Sequence, residues 1–130
     1  MRIPTTSPWS ADDLRRIAAN DDLHIAPLRL DRVTYGTPTW IWSVVVDGQL
    51  YARAYNGRSS RWYQAASSQG AGRIEAAGAV WTVAFEAASR EVDVIVDAAY
   101  RVKYASSPYL AHMLEEGCQA ATVLIRRASV

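Results

Sequence analysis

Hydrophobic and polar residues exchange every second position in some short stretches of this chain, and every third or fourth in others. Between Asp22 and Leu28, Leu23 and Ile25 alternate with polar neighbours, the period of a half-buried strand. Pro27 puts the end of that strand at an edge or at its exit from the sheet. From Thr39 to Val46 the alternating sets are Trp40, Trp42, Val44, Val46 and Thr39, Ile41, Ser43, Val45. Both sets are mostly apolar, as in a barrel wall covered on two sides. Asp47-Gly48 predicts a type I′ hairpin turn, because both central residues then take positive φ, and Gln49 to Ala54 forms the return strand. Arg73 to Ala76 and Ala79 to Ala87 predict a second hairpin about Gly78, after a turn at residues 69–72. Ala120 to Arg126 is the sixth strand.

The helical period occupies the intervals. Ser10 and Asp13 form a capping pattern ahead of Leu14, Ile17 and Ala18, with Trp9 as a hydrophobic staple and the helix ending near Asn20. Ser59 or Ser60 caps a short helix to about Ser67. Glu91 to Tyr104 carries the stripe Val92, Ile95, Val96, Ala99, Val102 and Lys103, with acids early and bases late. Ser107-Pro108 opens a further helix through Leu110, Met113 and Leu114, stopped by Gly117. Residues 1–8 are a frayed lead-in. The reading is α+β: one domain over 1–130, a small six-stranded, mainly antiparallel barrel with an N-terminal helix and two C-terminal helices before the last strand.

Composition narrows function by exclusion. The 130 residues carry a net charge of +1, so no broad electrostatic footprint points to nucleic acid or membrane. No apolar run reaches the ~20 residues of a membrane span, and no signal-peptide pattern opens the chain, so a cytoplasmic location is expected. Cys118, the single cysteine, is read as a small buried residue; there is no disulfide and no metal cluster in the pattern, His24 and His112 being far apart. The aromatic set is 5 Trp and 7 Tyr against 1 Phe, residues that combine a large apolar body with a polar edge and suit either a barrel core or a ligand pocket.

Candidate chemistry concentrates after the first hairpin. Tyr51, Arg53 and Tyr55 share a strand face, so Arg53 either meets an acid across a surface ladder or faces an anionic ligand. Arg58, Ser59, Ser60 and Arg61 then stand at a helix start, where free N–H groups and partial positive charge suit a phosphate. Tyr100, Lys103 and Tyr104 lie on one helix face, as a packing edge or a pocket wall.

The stretch Pro27 to Phe85 resembles the flavin- and deazaflavin-binding split-barrel proteins, a group with pyridoxamine-phosphate-oxidase-like and nitroreductase-like members. The resembling pieces are the Gly36-Thr37-Pro38 turn, the Trp-containing strand after it, the Asp-Gly hairpin, and Ser60-Arg61-Trp62-Tyr63 opening a helix. Nearly the whole chain is also similar to a short bacterial family known as a domain of unknown function, through TPTWIW, LYARAYNGRSSRWY, GRI and AYRVKY. The flavin resemblance implies an FMN- or deazaflavin-dependent oxidoreductase acting on a small organic molecule. It implies that Thr39, Trp40 and Ile41 border the ring system, and that Arg53 and Tyr55 face the ribityl–phosphate part. Arg58, Ser59, Ser60 and Arg61 would then supply donors, and Trp62 would cap the pocket. It also implies pairing of two copies through the sheet. The alternative is a cofactor-free pocket protein that binds, isomerises or cyclises a small aromatic molecule. Its walls would be Trp40, Trp42, Trp62, Tyr51 and Tyr55, and its proton-transfer candidates His24, Tyr100 and Lys103. A third reading is a dimerising module without a ligand.

Overall fold

The computed structural model describes residues 4–129. Its elements are β1 (Thr6–Ser7), α1 (Ala11–Ala18), β2 (Leu23–Pro27), β3 (Thr39–Ile41), β4 (Ser43–Val46), β5 (Gln49–Arg53), α2 (Arg61–Gln69), β6 (Ala71–Ala76), β7 (Ala79–Ala87), α3 (Asp93–Lys103), α4 (Leu110–Met113), α5 (Glu116–Gln119) and β8 (Thr122–Ala128). The strands form one curled antiparallel sheet, a half-barrel, in the order β3-β2-β6-β7-β8-β5-β4, with β1 paired to the end of β8. The α+β reading holds. The six strands become eight, because a short strand forms inside the expected lead-in and because the expected strand 39–46 is two strands.

That second difference organises the fold. The chain breaks at Trp42: Thr39–Ile41 pairs with β2, and Ser43–Val46 pairs with β5. These two halves are the opposite ends of the sheet, so one continuous segment joins both of its ends. Buried backbone groups must be paired, and at the break side chains of α3 take the place of a neighbouring strand. The Tyr100 hydroxyl donates to the Trp42 carbonyl at 3.3 Å, and the Ser43 N–H donates to the Tyr104 hydroxyl at 3.1 Å. The Ser43 carbonyl accepts from Lys103 Nζ at 2.8 Å and from the Tyr104 hydroxyl at 3.2 Å. The Trp42 indole lies flat on Tyr104, 3.9 Å between ring centres and 5° between planes.

Both tight hairpins follow the sequence. Asp47 and Gly48 have φ of 51° and 74°, and Ala77 and Gly78 have φ of 51° and 75°, the two-residue turns that match strand twist. The main core fills one face of the sheet. Leu23, Ile25, Ile41, Leu50, Ile74 and Ile125 meet Leu14 and Ile17 of α1 and Ala66 of α2 there. Ser10 caps α1 through its hydroxyl, which accepts from the Asp13 N–H at 3.0 Å. Trp9 is buried in the same core and donates Nε1–H to the Ile125 carbonyl at 3.0 Å. A second cluster lies on the opposite face, where Val96 and Tyr100 of α3, Tyr104 just after it, Met113 and Cys118 cover Val44 and Tyr51.

The helices depart from the sequence reading in three places. α2 continues to Gln69 and stops at Gly70, whose φ of 66° forms the left-handed cap, so the expected turn at 69–72 is a helix end and a strand start. The single helix expected after Pro108 is two short ones separated at Leu114–Glu115, and Gly117 lies inside the second. Of the expected α3 stripe, Val92 at the N-cap and Val96 and Ala99 within the helix do face the second cluster, joined by Tyr100, whereas Ile95 and Val102 face outward, so the covered stripe is narrower than the pattern.

Candidate functional site

The break at Trp42 opens a cleft of about 490 Å³ on the line where the sheet's two ends meet, within the range of small-molecule pockets. Four segments bound it. Thr39, Trp40, Ile41 and Trp42 come from the divided strand, and Arg53, Tyr55 and Asn56 from the end of β5. Ser60, Arg61 and Trp62 open α2, and Tyr109 and Met113 come from α4 and the residue before it. Among the described residues, the lining holds no His, Cys, Lys, Asp or Glu. Trp40 is 53% exposed and Tyr109 59%, so large aromatic faces stand open at the cleft's mouth. Trp40 is fixed by its indole N–H, which donates to the Asp21 carbonyl at 2.7 Å, and Tyr109 meets Tyr55 edge to face with 6.1 Å between ring centres. Tyr55 is backed by His112, whose Nε2 lies 2.7 Å from the Tyr55 carbonyl and whose Nδ1 lies 2.9 Å from Glu115.

At the α2 end of the cleft the structure gathers fewer of the expected donors than the sequence suggested. Ser60 is the N-cap residue of α2, yet its hydroxyl makes no capping bond. The first intrahelical bond of α2 is Gln64 N–H to the Ser60 carbonyl at 3.0 Å, which leaves the three N–H groups before it without an intrahelical partner. Arg61 is exposed, and its guanidinium makes no hydrogen bond or ion pair with another described residue. Arg58 and Ser59 do not join them. Arg58 Nε donates to the Ala120 carbonyl at 3.2 Å, and the Ser59 hydroxyl donates to the Asn56 carbonyl at 2.9 Å.

Arg53 answers neither of its two sequence readings. Its side chain is fully buried, so it is not part of a surface ladder. Its nitrogens are already engaged: Nη1 by Asp97 and the Met113 carbonyl, Nη2 by the Asp93 carbonyl and carboxylate, Nε by the Thr122 hydroxyl. Gln119 holds the other oxygen of Asp97 at 3.1 Å, and Arg90 holds Asp93 at 2.7 Å. A guanidinium with its donors engaged by protein and its charge compensated has little to offer a ligand. Arg53 borders the cleft as part of its frame.

Of the remaining sequence candidates, Tyr51, Tyr100 and Lys103 lie outside the cleft, in or beside the second cluster. Burial pushes the Tyr100 hydroxyl up, raises Tyr104 to about 12 and lowers Lys103 to about 8. His24 sits on β2 next to Asp22, 3.4 Å away, opposite Trp40 in the strand pairing and outside the cleft lining. Cys118 is buried, and burial raises its thiol pKa. Asn56, Tyr109 and Met113 were not foreseen. Tyr109 and Met113 reach the cleft through α4, which the Arg53 bond to the Met113 carbonyl ties to β5, a link 60 residues long in sequence. A second, more open groove of about 890 Å³ shares Thr39, Arg61 and Trp62 with the cleft and follows α2 toward the loop 28–37. Asp31 organises that loop by accepting from the N–H groups of Val33 and Thr34, which lowers its pKa.

Among the described residues, no helix is long and apolar enough to cross a membrane. The model for a family described as an uncharacterized protein conserved in bacteria (DUF2255) matches residues 13–125. No curated protein matches the chain. Among solved structures, the chain is similar to the conserved hypothetical protein Rv2991 from Mycobacterium tuberculosis, at 13% identity and a TM-score of 0.59. That alignment covers 97% of this chain and 84% of the other. At this identity the likeness speaks for the fold.

Proposed function

Since the chain belongs to this bacterial family, DUF2255, whose description names no reaction, we propose a function from the cleft: it holds a planar aromatic cofactor with an anionic tail, of the FMN or deazaflavin kind, for an oxidoreductase. One observation carries this reading. A cleft walled by Trp40, Trp62, Tyr55 and Tyr109 ends at the α2 N-terminus, beside an unengaged guanidinium and an unengaged hydroxyl. Aromatic and aliphatic walls suit a flat ring system, and free helical N–H groups with Arg61 suit a phosphate. The donor set therefore fits the group. A bound flavin would supply the hydride chemistry, and that agrees with a lining that contains no acid–base side chain other than phenols. The chain's own residues would bind and orient: Trp40 and Ile41 along the ring, Ser60 and Arg61 at the anion, Trp62 as the cover. The Rv2991 likeness extends the fold without adding a ligand.

The test compares ligands that differ only in the anion. FMN should bind near micromolar affinity, about −8 kcal/mol, read by flavin fluorescence. Arg61→Ala should weaken FMN about tenfold and leave riboflavin unchanged. Protein that binds neither FMN, riboflavin nor a deazaflavin overturns the proposal. The neutral alternative, a cofactor-free pocket for a small aromatic molecule, draws on Arg53, whose charge is spent on Asp93 and Asp97 and leaves one arginine for an anion. Equal affinity for FMN and riboflavin, unmoved by Arg61→Ala, would favour it.

A further inference from the structure

α3 is apolar on two sides. Val96 and Tyr100 bury one side against the sheet. On the opposite side, Val94 is 77% exposed, Val102 is 82% exposed, and Ala98 lies in the open between them. Residues 94, 98 and 102 are spaced i, i+4, i+8, so they form one straight stripe, flanked by the partly exposed Ile95. A surface helix of a monomer ordinarily turns polar groups outward. Here the outward polar groups stand at the two ends. Glu91 precedes the helix, and Arg101 lies in its last turn. Both are exposed, and neither side chain has a hydrogen-bond or ion-pair partner among the described residues.

We infer that a second copy of this chain docks on this stripe, α3 against α3, antiparallel about a two-fold axis. The charge arrangement selects that occupant. An antiparallel copy sets Glu91 of one chain beside Arg101 of the other, and symmetry makes the pair twice. It also opposes the two helix dipoles, and it lays Val94 of one chain on Ala98 and Val102 of the other. A parallel copy would place like charges together. Ala98 at the middle allows the helices to approach closely. The cleft residues take no part, so the inference stands apart from the ligand proposal. A single helix pair buries less than a standard interface of about 1,600 Å², so the dimer is a weak one, in the micromolar range.

Sedimentation of the full chain from low micromolar to millimolar concentration tests this. The expected result is a reversible monomer–dimer equilibrium. Arg101→Glu alone should weaken it roughly tenfold, and the double variant Glu91→Arg with Arg101→Glu should return it to within about threefold of wild type. Ala98→Cys should give a covalent dimer on mild oxidation, whereas the parent chain, whose cysteine is buried, should not. A monomer at every concentration overturns the inference. So does a dimer that ignores the charge reversal, since another surface would then be holding it.

Discussion

Arg53 shows how a residue that looks like a ligand contact becomes part of the frame. Its acidic partners on α3 lie 40 and 44 residues further along the chain, so no local pattern announces them. A buried arginine is favourable only while its carboxylates stay in place, and the same holds for the carboxylates. Arg53→Met should therefore cost about 3–5 kcal/mol in urea unfolding, because Asp93 and Asp97 are left facing a nonpolar side chain. Adding Asp97→Asn should recover part of that loss. Lys103 gives a second prediction at this scale. Its pKa is about 8 in the fold against 10.5 ordinarily, so between these values the unfolded chain binds more protons and stability rises with pH. Tyr104 runs the other way: raised from 10.0 to about 12, it keeps its proton while the unfolded chain loses one, so stability falls as pH rises above 10. Asp21 faces both groups, raising Lys103 and Tyr104 against the dominant effect of burial for the lysine and with it for the tyrosine. The urea midpoint should climb from pH 8 toward 9, level off as the raised Cys118 thiol opposes the lysine, and decline above 10 as Tyr100 and Tyr104 both keep their protons. Lys103→Met should remove the climb while sparing the decline.

Among the elements, those with a local cause were legible in the sequence and those with a distant cause were not. The two Gly-containing hairpins and the Ser10 cap need only their own residues, and they form where the pattern put them. α3 carries apolar residues on both of its sides, so periodicity alone could not say which side is covered. The arrival of α4 beside the cleft depends on Arg53 and on packing against α3, and no spacing within 107–117 encodes it. β6 contains a constraint that the sequence shows only as one more glycine. A Cβ on Gly72 would stand 2.6 Å from both the Ala26 carbonyl oxygen and the Pro27 Cα, backbone atoms that cannot swing aside. Gly72→Ala should force β2 and β6 apart and destabilise the protein by at least about 2 kcal/mol, visible as a lower thermal midpoint. Gly48, whose added Cβ meets nothing, offers the contrast: Gly48→Ala carries only the conformational cost of its positive φ, about 1 kcal/mol.

At the scale of the whole molecule, the antiparallel α+β architecture follows from strand periods and hairpins, and the closure of its sheet does not. Trp42 looked like one more residue of a long strand, because alternation continues through it undisturbed. The break requires Tyr100, Lys103 and Tyr104, some 60 residues later, to accept and donate at Trp42 and Ser43. The cleft was legible to the extent that its walls are local. Residues 39–42 and 60–62 were named from sequence and do meet, whereas Tyr109 and Asn56 were missed and Arg58 and Ser59 turn elsewhere. Long-range ties of this kind also hold the main core. Trp9 reaches Ile125 across 116 residues, and Trp9→Ala should cost about 3–5 kcal/mol, measured by denaturant unfolding, through lost packing and the lost indole hydrogen bond.

Because the two borders of the sheet are successive links of one backbone, they cannot drift apart the way free strand edges do. For the flat cofactor proposed above, this would fix the spacing of the cleft beside Trp42, which stays stacked on Tyr104, in the covalent path of the main chain.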